Sequence, residues 1–117
     1  MKKKIPRTIS ARDLHQWLLS KSPLPLLVYV REDEEVALAT FPASILHLPL
    51  SKSPAWLNSL AERFEDPQNV VVICHSGIRS WNFALWLLEQ DWQLEVWNLE
   101  GGIDAWSVEV DSSVPRY

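Results

Sequence analysis

Apolar and polar positions alternate along this chain in two distinct rhythms. Residues 26–30 and 70–73 are unbroken apolar runs, the form taken by strands covered on both faces. The second run, Val70-Val71-Val72-Ile73, is β-branched throughout and is the strongest strand signal in the sequence. Residues 95–99 read as a further strand, Thr8-Ile9 as a short one, and residues 44–48 as another, closed by Pro49. Between them lie segments whose apolar residues recur three and four positions apart, the spacing of a helix face. Leu14, Trp17 and Leu18 share a face of a helix predicted over 11–20, with Ser10 as its cap and Asp13 at its third position. Trp56, Leu57, Leu60 and Phe64 do the same for a helix opened by Ser53-Pro54, Ser as cap and Pro at the first position. Residues 79–90 predict a helix that carries Trp81, Ala84, Leu85 and Leu88 on one stripe. Phe83, Trp86 and Leu87 lie on its other faces, so it is expected to be deeply buried or shared with a partner. Gly101-Gly102 permits a tight turn into a short helix over 103–107, while 34–40 predicts a short helical segment and 108–117 a fraying tail. Strands and helices in alternation predict an α/β fold with a small, mainly parallel sheet flanked by helices on both faces.

At 117 residues the expectation is a single domain, with its core over about 8–107. A hydrophobic content of 47% with 22% charged residues excludes a disordered chain or a collagen-like repeat. A net charge of −4 gives no global attraction to nucleic acid or to an anionic membrane, and neither is expected as a partner. No apolar run approaches the roughly 18 residues of a membrane span. Lys2, Lys3 and Lys4 are followed by Ile5-Pro6-Arg7 and not by the apolar stretch of a secretory signal. With a single cysteine and no signal, the expected compartment is a reducing cytoplasm.

One cysteine forms no internal disulfide, so its placement decides its meaning. In open α/β sheets ligands bind beyond the carboxyl ends of the strands, and Cys74 follows the strongest strand directly. The stretch Cys74-His75-Ser76-Gly77-Ile78-Arg79 then joins that strand to the amino end of a helix. Successive N–H groups in such a loop can converge on an anion. The helix terminus adds partial positive charge, and Arg79 a full one. A thiolate, an oxyanion or a persulfide would be at ease there, which favours a reactive thiol over an inert buried one. His75, next to the sulfur in sequence, is expected at the rim of the pocket, its side chain turned outward while its N–H faces in. His15 and His47 have no cysteine partner and no metal-ligand spacing, so they read as structural and no metal is expected. Glu100 and Asp104 flank the Gly-Gly turn as helix-start charges. Seven tryptophans are too many to pass over. Trp17, Trp56, Trp97 and Trp106 are expected in the core. Trp81, Trp86 and Trp92 are expected either in a crowded core or as an aromatic patch for a protein partner.

The run from Val71 to Ser80 resembles the active-site loop of the rhodanese-like sulfurtransferases. Leu27-Val28-Tyr29-Val30-Arg31-Glu32 resembles that family's early strand, Phe41 to Leu50 its Ile-Pro-Gly-Ala segment, and Val96 to Trp106 its carboxyl signature. The resemblance implies a single rhodanese domain in which Cys74 takes a sulfane sulfur from thiosulfate or a persulfide. It would carry that sulfur as a Cys74 persulfide and pass it to cyanide or a thiol, with ping-pong kinetics and no cofactor. Cys74 is the implied nucleophile. His75, Ser76, Gly77, Ile78, Arg79 and Ser80 form the implied substrate loop, and a protein sulfur donor or acceptor is a further implied partner. Tyr29 stands where the family usually has Asp, Ala43 where it has Gly, and Asp91 where a Gly often ends the long helix.

Two alternatives compete with this enzyme. One is a non-enzymatic persulfide carrier or docking module in sulfur trafficking or signalling, which would use Cys74 without turning over a small donor. The other is a phosphatase of the related dual-specificity type, whose loop places five residues between Cys and Arg. Only His75, Ser76, Gly77 and Ile78 intervene here, a loop better matched to sulfur than to a phosphoryl group.

Overall fold

The apolar run at Val70 to Ile73 lies at the centre of a five-stranded sheet. The computed structural model describes residues 5–21, 23–33, 46–64, 68–90 and 92–116. Its strands are β1 (Arg7–Ile9), β2 (Leu26–Tyr29), β3 (Leu46–His47), β4 (Gln68–Ile73) and β5 (Leu94–Leu99). They run parallel in the order β1-β5-β4-β2-β3. The register sets Val72 between Val28 of β2 and Asn98 of β5. The helices are α1 (Ala11–Leu19), α2 (Ser53–Trp56, continued by a 3-10 helix over Leu57–Arg63), α3 (Ile78–Leu88) and α4 (Gly102–Glu109).

Side chains of a strand point alternately to its two faces, so β4 feeds two cores. Val71 and Ile73 pack with Ala11 and Leu14 of α1 and with Ile103 and Trp106 of α4. Val70, Val72 and Cys74 pack on the opposite side with Trp56, Leu60, Phe83, Ala84 and Leu87. This is the helix-covered parallel sheet that the patterning predicts, and Cys74 belongs to the second core by the same alternation. Ser10 caps α1 as expected, its hydroxyl oxygen accepting the Asp13 N–H at 3.1 Å.

Three expectations need correction or bounding. The helix at Ser53 begins one residue early, with Lys52 in the cap position and Pro54 in the first turn. Its α-helical winding lasts only to Trp56, and the following 3-10 segment has three residues per turn, so the predicted four-residue spacing is not kept. Trp56 and Leu60 remain buried, Trp56 donating its indole N–H to Pro49 O at 3.0 Å, whereas Leu57 is 43% exposed. The tail does not fray: Val114 is buried, its carbonyl accepting the Ser107 hydroxyl at 2.5 Å. Arg116 grips both carboxylate oxygens of Asp104, at 2.8 and 3.1 Å. The predicted segment 34–40, together with Ala43, Ser44, Ile45 and Asp91, lies outside the described residues.

The aromatic residues form an edge-and-stack chain. Trp56 meets Phe83 edge-on, Phe83 stacks on Trp86, Trp86 meets Trp92 edge-on, and Trp92 tilts against Phe64. Trp86 and Trp92 pack against the second core while staying partly exposed, nearer the crowded-core expectation than an open patch. Trp17 meets Trp97 edge-on at 5.1 Å, and the Arg7 guanidinium lies over the Trp97 ring.

The tail latch carries a pH expectation. The hydrogen bond from Arg116 holds the Asp104 carboxyl below the usual aspartate range, so the latch is intact above that range and is lost as pH falls through the lowered value. Exposure makes it a weak, screened surface pair. Amide exchange at Val114 is expected to stay slow through about pH 4, the ordinary aspartate value, and to speed up only below it. Loosening already above that pH would contradict the pairing.

Candidate active site

At the carboxyl edge of the sheet β4 gives way to a loop that two helices shape from opposite sides. Val30 N–H still donates to Ile73 O at 3.0 Å, which ties the end of β4 to β2. Cys74 follows, 1% exposed. Gly77 sits at φ 102°, a left-handed conformation that side chains resist, and this turns its N–H onto the sulfur at 3.1 Å. The chain then enters α3, whose first turn places Ser80 Oγ 3.2 Å from Cys74 Sγ.

The opposite side of the loop is held by α4. Ile103 N–H donates to Cys74 O at 2.8 Å and Asp104 N–H to His75 O at 3.1 Å. These are amino-terminal N–H groups that a helix cannot satisfy internally, spent here on the loop carbonyls. The contact is close because Gly102 has no side chain: a Cβ there would lie 2.3 Å from Cys74 O and 2.5 Å from His75 O. Gly-Gly therefore does more than turn the chain, since the second glycine lets α4 press on the loop.

Of the seven loop residues singled out from sequence, Cys74, Gly77 and Ser80 come together at the sulfur. His75 and Arg79 are half-buried, and Ser76 and Ile78 are exposed, Ile78 at 71%. One residue that sequence reasoning passed over joins them. Asn98 of β5, 5% exposed, accepts the Ser80 hydroxyl on Oδ1 and donates from Nδ2 to Gly77 O at 3.1 Å. A polar residue between Trp97 and Leu99 in a predicted strand was the available signal, because a buried amide needs partners.

Tyr29, at the position where the resemblance expects Asp, is buried, and the fully buried Arg31 guanidinium lies 4.9 Å from its ring centroid in a cation–π contact. His47 bonds Arg31 O at 2.7 Å, and His15 meets Trp106 edge-on, so each histidine is engaged structurally. Asp104 pairs with Arg116, and Glu100 is exposed. A shielded sulfur that accepts an N–H at the start of an 11-residue helix can hold sulfur-centred charge.

Comparison with known proteins agrees with this fold. A 37% identical relative, the putative sulfurtransferase YtwF of Bacillus subtilis, aligns over 83 residues, 71% of this chain and 74% of the relative. The chloroplastic rhodanese-like/PpiC domain-containing protein 12 of Arabidopsis thaliana is 34% identical over 91 residues, and the match spans only 30% of its length. A rhodanese-like domain protein from Staphylococcus aureus superposes with a TM-score of 0.72 at 28% identity, covering 95% of this chain and 98% of that one. A yeast protein tyrosine phosphatase of the rhodanese family shares the fold with a TM-score of 0.72 at 20% identity, over 97% of this chain and 93% of that one. No helix among the described residues is long and apolar enough to cross a membrane. Residues 10–109 match the family model of the rhodanese-like domain, and the chain belongs to that family.

Proposed function

We propose that the protein is a sulfurtransferase that carries sulfane sulfur on Cys74. The Cys74 thiolate attacks the outer sulfur of thiosulfate. A new S–S bond forms at Sγ, the old one breaks, and sulfite leaves with its electron pair. Cyanide or a thiolate then attacks the outer sulfur of the persulfide and Sγ departs as thiolate, so no external oxidant or reductant enters. The observation that carries this reading is the shielded sulfur at the end of β4, with Gly77 N–H at 3.1 Å and Ser80 Oγ at 3.2 Å. Loop N–H groups from His75 to Ser80 would cradle the outer sulfur, and Arg79 would offer charge to an anionic donor. Four residues between Cys74 and Arg79 make a narrow cradle, which favours sulfur over a phosphoryl group. A reducing cytoplasm suits a lone thiol that must return to its free form after each turnover.

The test is the intact mass of the protein after thiosulfate, then after cyanide. One sulfur gained and then released as thiocyanate, repeatedly, supports the enzyme. Sulfur gained but not turned over with small molecules supports a carrier that exchanges with a protein donor or acceptor. No gain from thiosulfate or from a small persulfide removes both readings.

Arg79 is expected to act as a planar fork and not merely as a charge. Arg79→Lys is predicted to lose about tenfold or more in kcat/KM for thiosulfate, the worth of one bidentate charge-assisted contact. Alkylation of Cys74 by iodoacetamide should be little changed. Unaltered thiosulfate kinetics would reduce Arg79 to a general electrostatic role.

A further inference from the structure

Around Cys74 the hydrogen bonds close into a ring, and its direction follows from donor chemistry alone. Gly77 O is a carbonyl and only accepts, so the atom of Asn98 facing it at 3.1 Å is the NH2 group. That leaves Asn98 Oδ1 toward Ser80. An amide oxygen also only accepts, so the single hydroxyl proton of Ser80 is committed to Asn98. What Ser80 turns toward Cys74 Sγ at 3.2 Å is therefore a lone pair. Gly77 N–H donates to Sγ at 3.1 Å from the other side. With Cys74 as a thiol every member is satisfied: Gly77 N–H to sulfur, S–H to Ser80, O–H to Asn98, and Nδ2–H back to Gly77 O. Cys74, Ser80 and Asn98 are all buried, so no water competes for these bonds, and each strengthens the next.

Loss of the S–H proton breaks the ring at one point. The Ser80 lone pair then faces an anion. The hydroxyl can turn to the sulfur only by leaving Asn98 Oδ1 buried without its donor. We infer that Asn98 is a positioning residue: by fixing the direction of the Ser80 proton it biases the resting sulfur toward the thiol. The inference rests on reading Cys74 as the reactive group. It assigns Ser80 the role of an acceptor in the resting protein, and of a thiolate donor only once Asn98 releases it. The titratable and charged groups on the surrounding elements are His75 in the loop, Arg79 on α3, Asp104 on α4 and Arg31 beyond β2. An exchange at Asn98 leaves all four in place.

The experiment uses Asn98→Leu in the full chain. Leucine keeps the shape of the side chain but neither accepts from Ser80 nor donates to Gly77. The readout is the ultraviolet absorbance of the thiolate near neutral pH, with circular dichroism to show the fold. About a tenfold rise in the thiolate-to-thiol ratio is expected, the worth of one charge-assisted hydrogen bond gained from the freed Ser80. The rise should vanish in Asn98→Leu combined with Ser80→Ala, where no proton is left to redirect. Should the leucine variant not fold, Asn98→Ala and its Ser80→Ala double carry the same expectations. An unchanged or lower thiolate fraction would overturn the inference. So would an equal rise in the double variant, which would mean that the loop had merely loosened. Absorbance is independent of sulfur transfer. A wild type that loads sulfur while the variant shows no rise sinks this inference alone. A wild type that takes up no sulfur while the variant shows the rise sinks only the proposed function.

Discussion

Cys74→Ser is expected to abolish sulfur loading while leaving the fold intact. Cys74 is the only thiol in the chain, so persulfide capacity has no second address. Serine at this buried position can still accept from Gly77 N–H and exchange a hydrogen bond with Ser80, so the polar partners of the sulfur are not abandoned. Oxygen does not form the transferable bond to sulfane sulfur, and a hydroxyl is a far weaker nucleophile than a thiolate. Turnover of thiosulfate should fall by about 10³-fold or more, the scale of nucleophile removal in covalent catalysis. The measurements are mass gain after thiosulfate and steady-state thiocyanate, with thermal unfolding as the control. Sulfur retained by the serine variant would refute the assignment of Cys74.

Gly102→Ala is predicted to damage stability and activity together. Gly102 lies at φ 61°, where a β-carbon is strained on its own account. The added carbon would also lie 2.3 Å from Cys74 O, a backbone atom with no flexible end to move aside. Either α4 withdraws, breaking the Ile103 and Asp104 bonds to the loop, or the loop shifts and carries Cys74 with it. The expected cost is about 2–4 kcal/mol, a fall in Tm of about 10 °C or more. Sulfur loading should weaken even well below that Tm, because the loop carbonyls no longer have their partners. An alanine variant with wild-type Tm and loading would show that α4 does not shape the loop.

The sheet and the sulfur loop were legible because each rests on a local signal. An unbroken β-branched run marks β4, and a cysteine followed by Gly and Arg marks the strand-to-helix turn. The parts that escaped depend on contacts distant in sequence. The winding beyond Trp56 tightens in a segment whose spacing alone reads as an α-helix, and nothing local announces it. The tail is held by Asp104 and Ser107, 12 and 7 residues back from Arg116 and Val114, which its Asp-Ser-Pro composition does not reveal. Asn98 was read as part of a carboxyl motif without a role. Its partners Ser80 and Gly77 lie 18 and 21 residues upstream, brought beside it only by the pairing of β4 with β5.

The strand order carries a consequence for biosynthesis. β1 pairs with β5, so β1 waits until the other described strands have been made before its ladder forms. β2 and β4 can pair once residue 73 has cleared the ribosome, but Cys74 and His75 then lack the α4 amides that hold their carbonyls. Parallel pairing at long separation is slow, and nascent chains expose what native ones cover. For that interval the thiol is open to oxidants and electrophiles. Chemical damage during synthesis would therefore fall on the sulfur that the proposed transfer chemistry depends on.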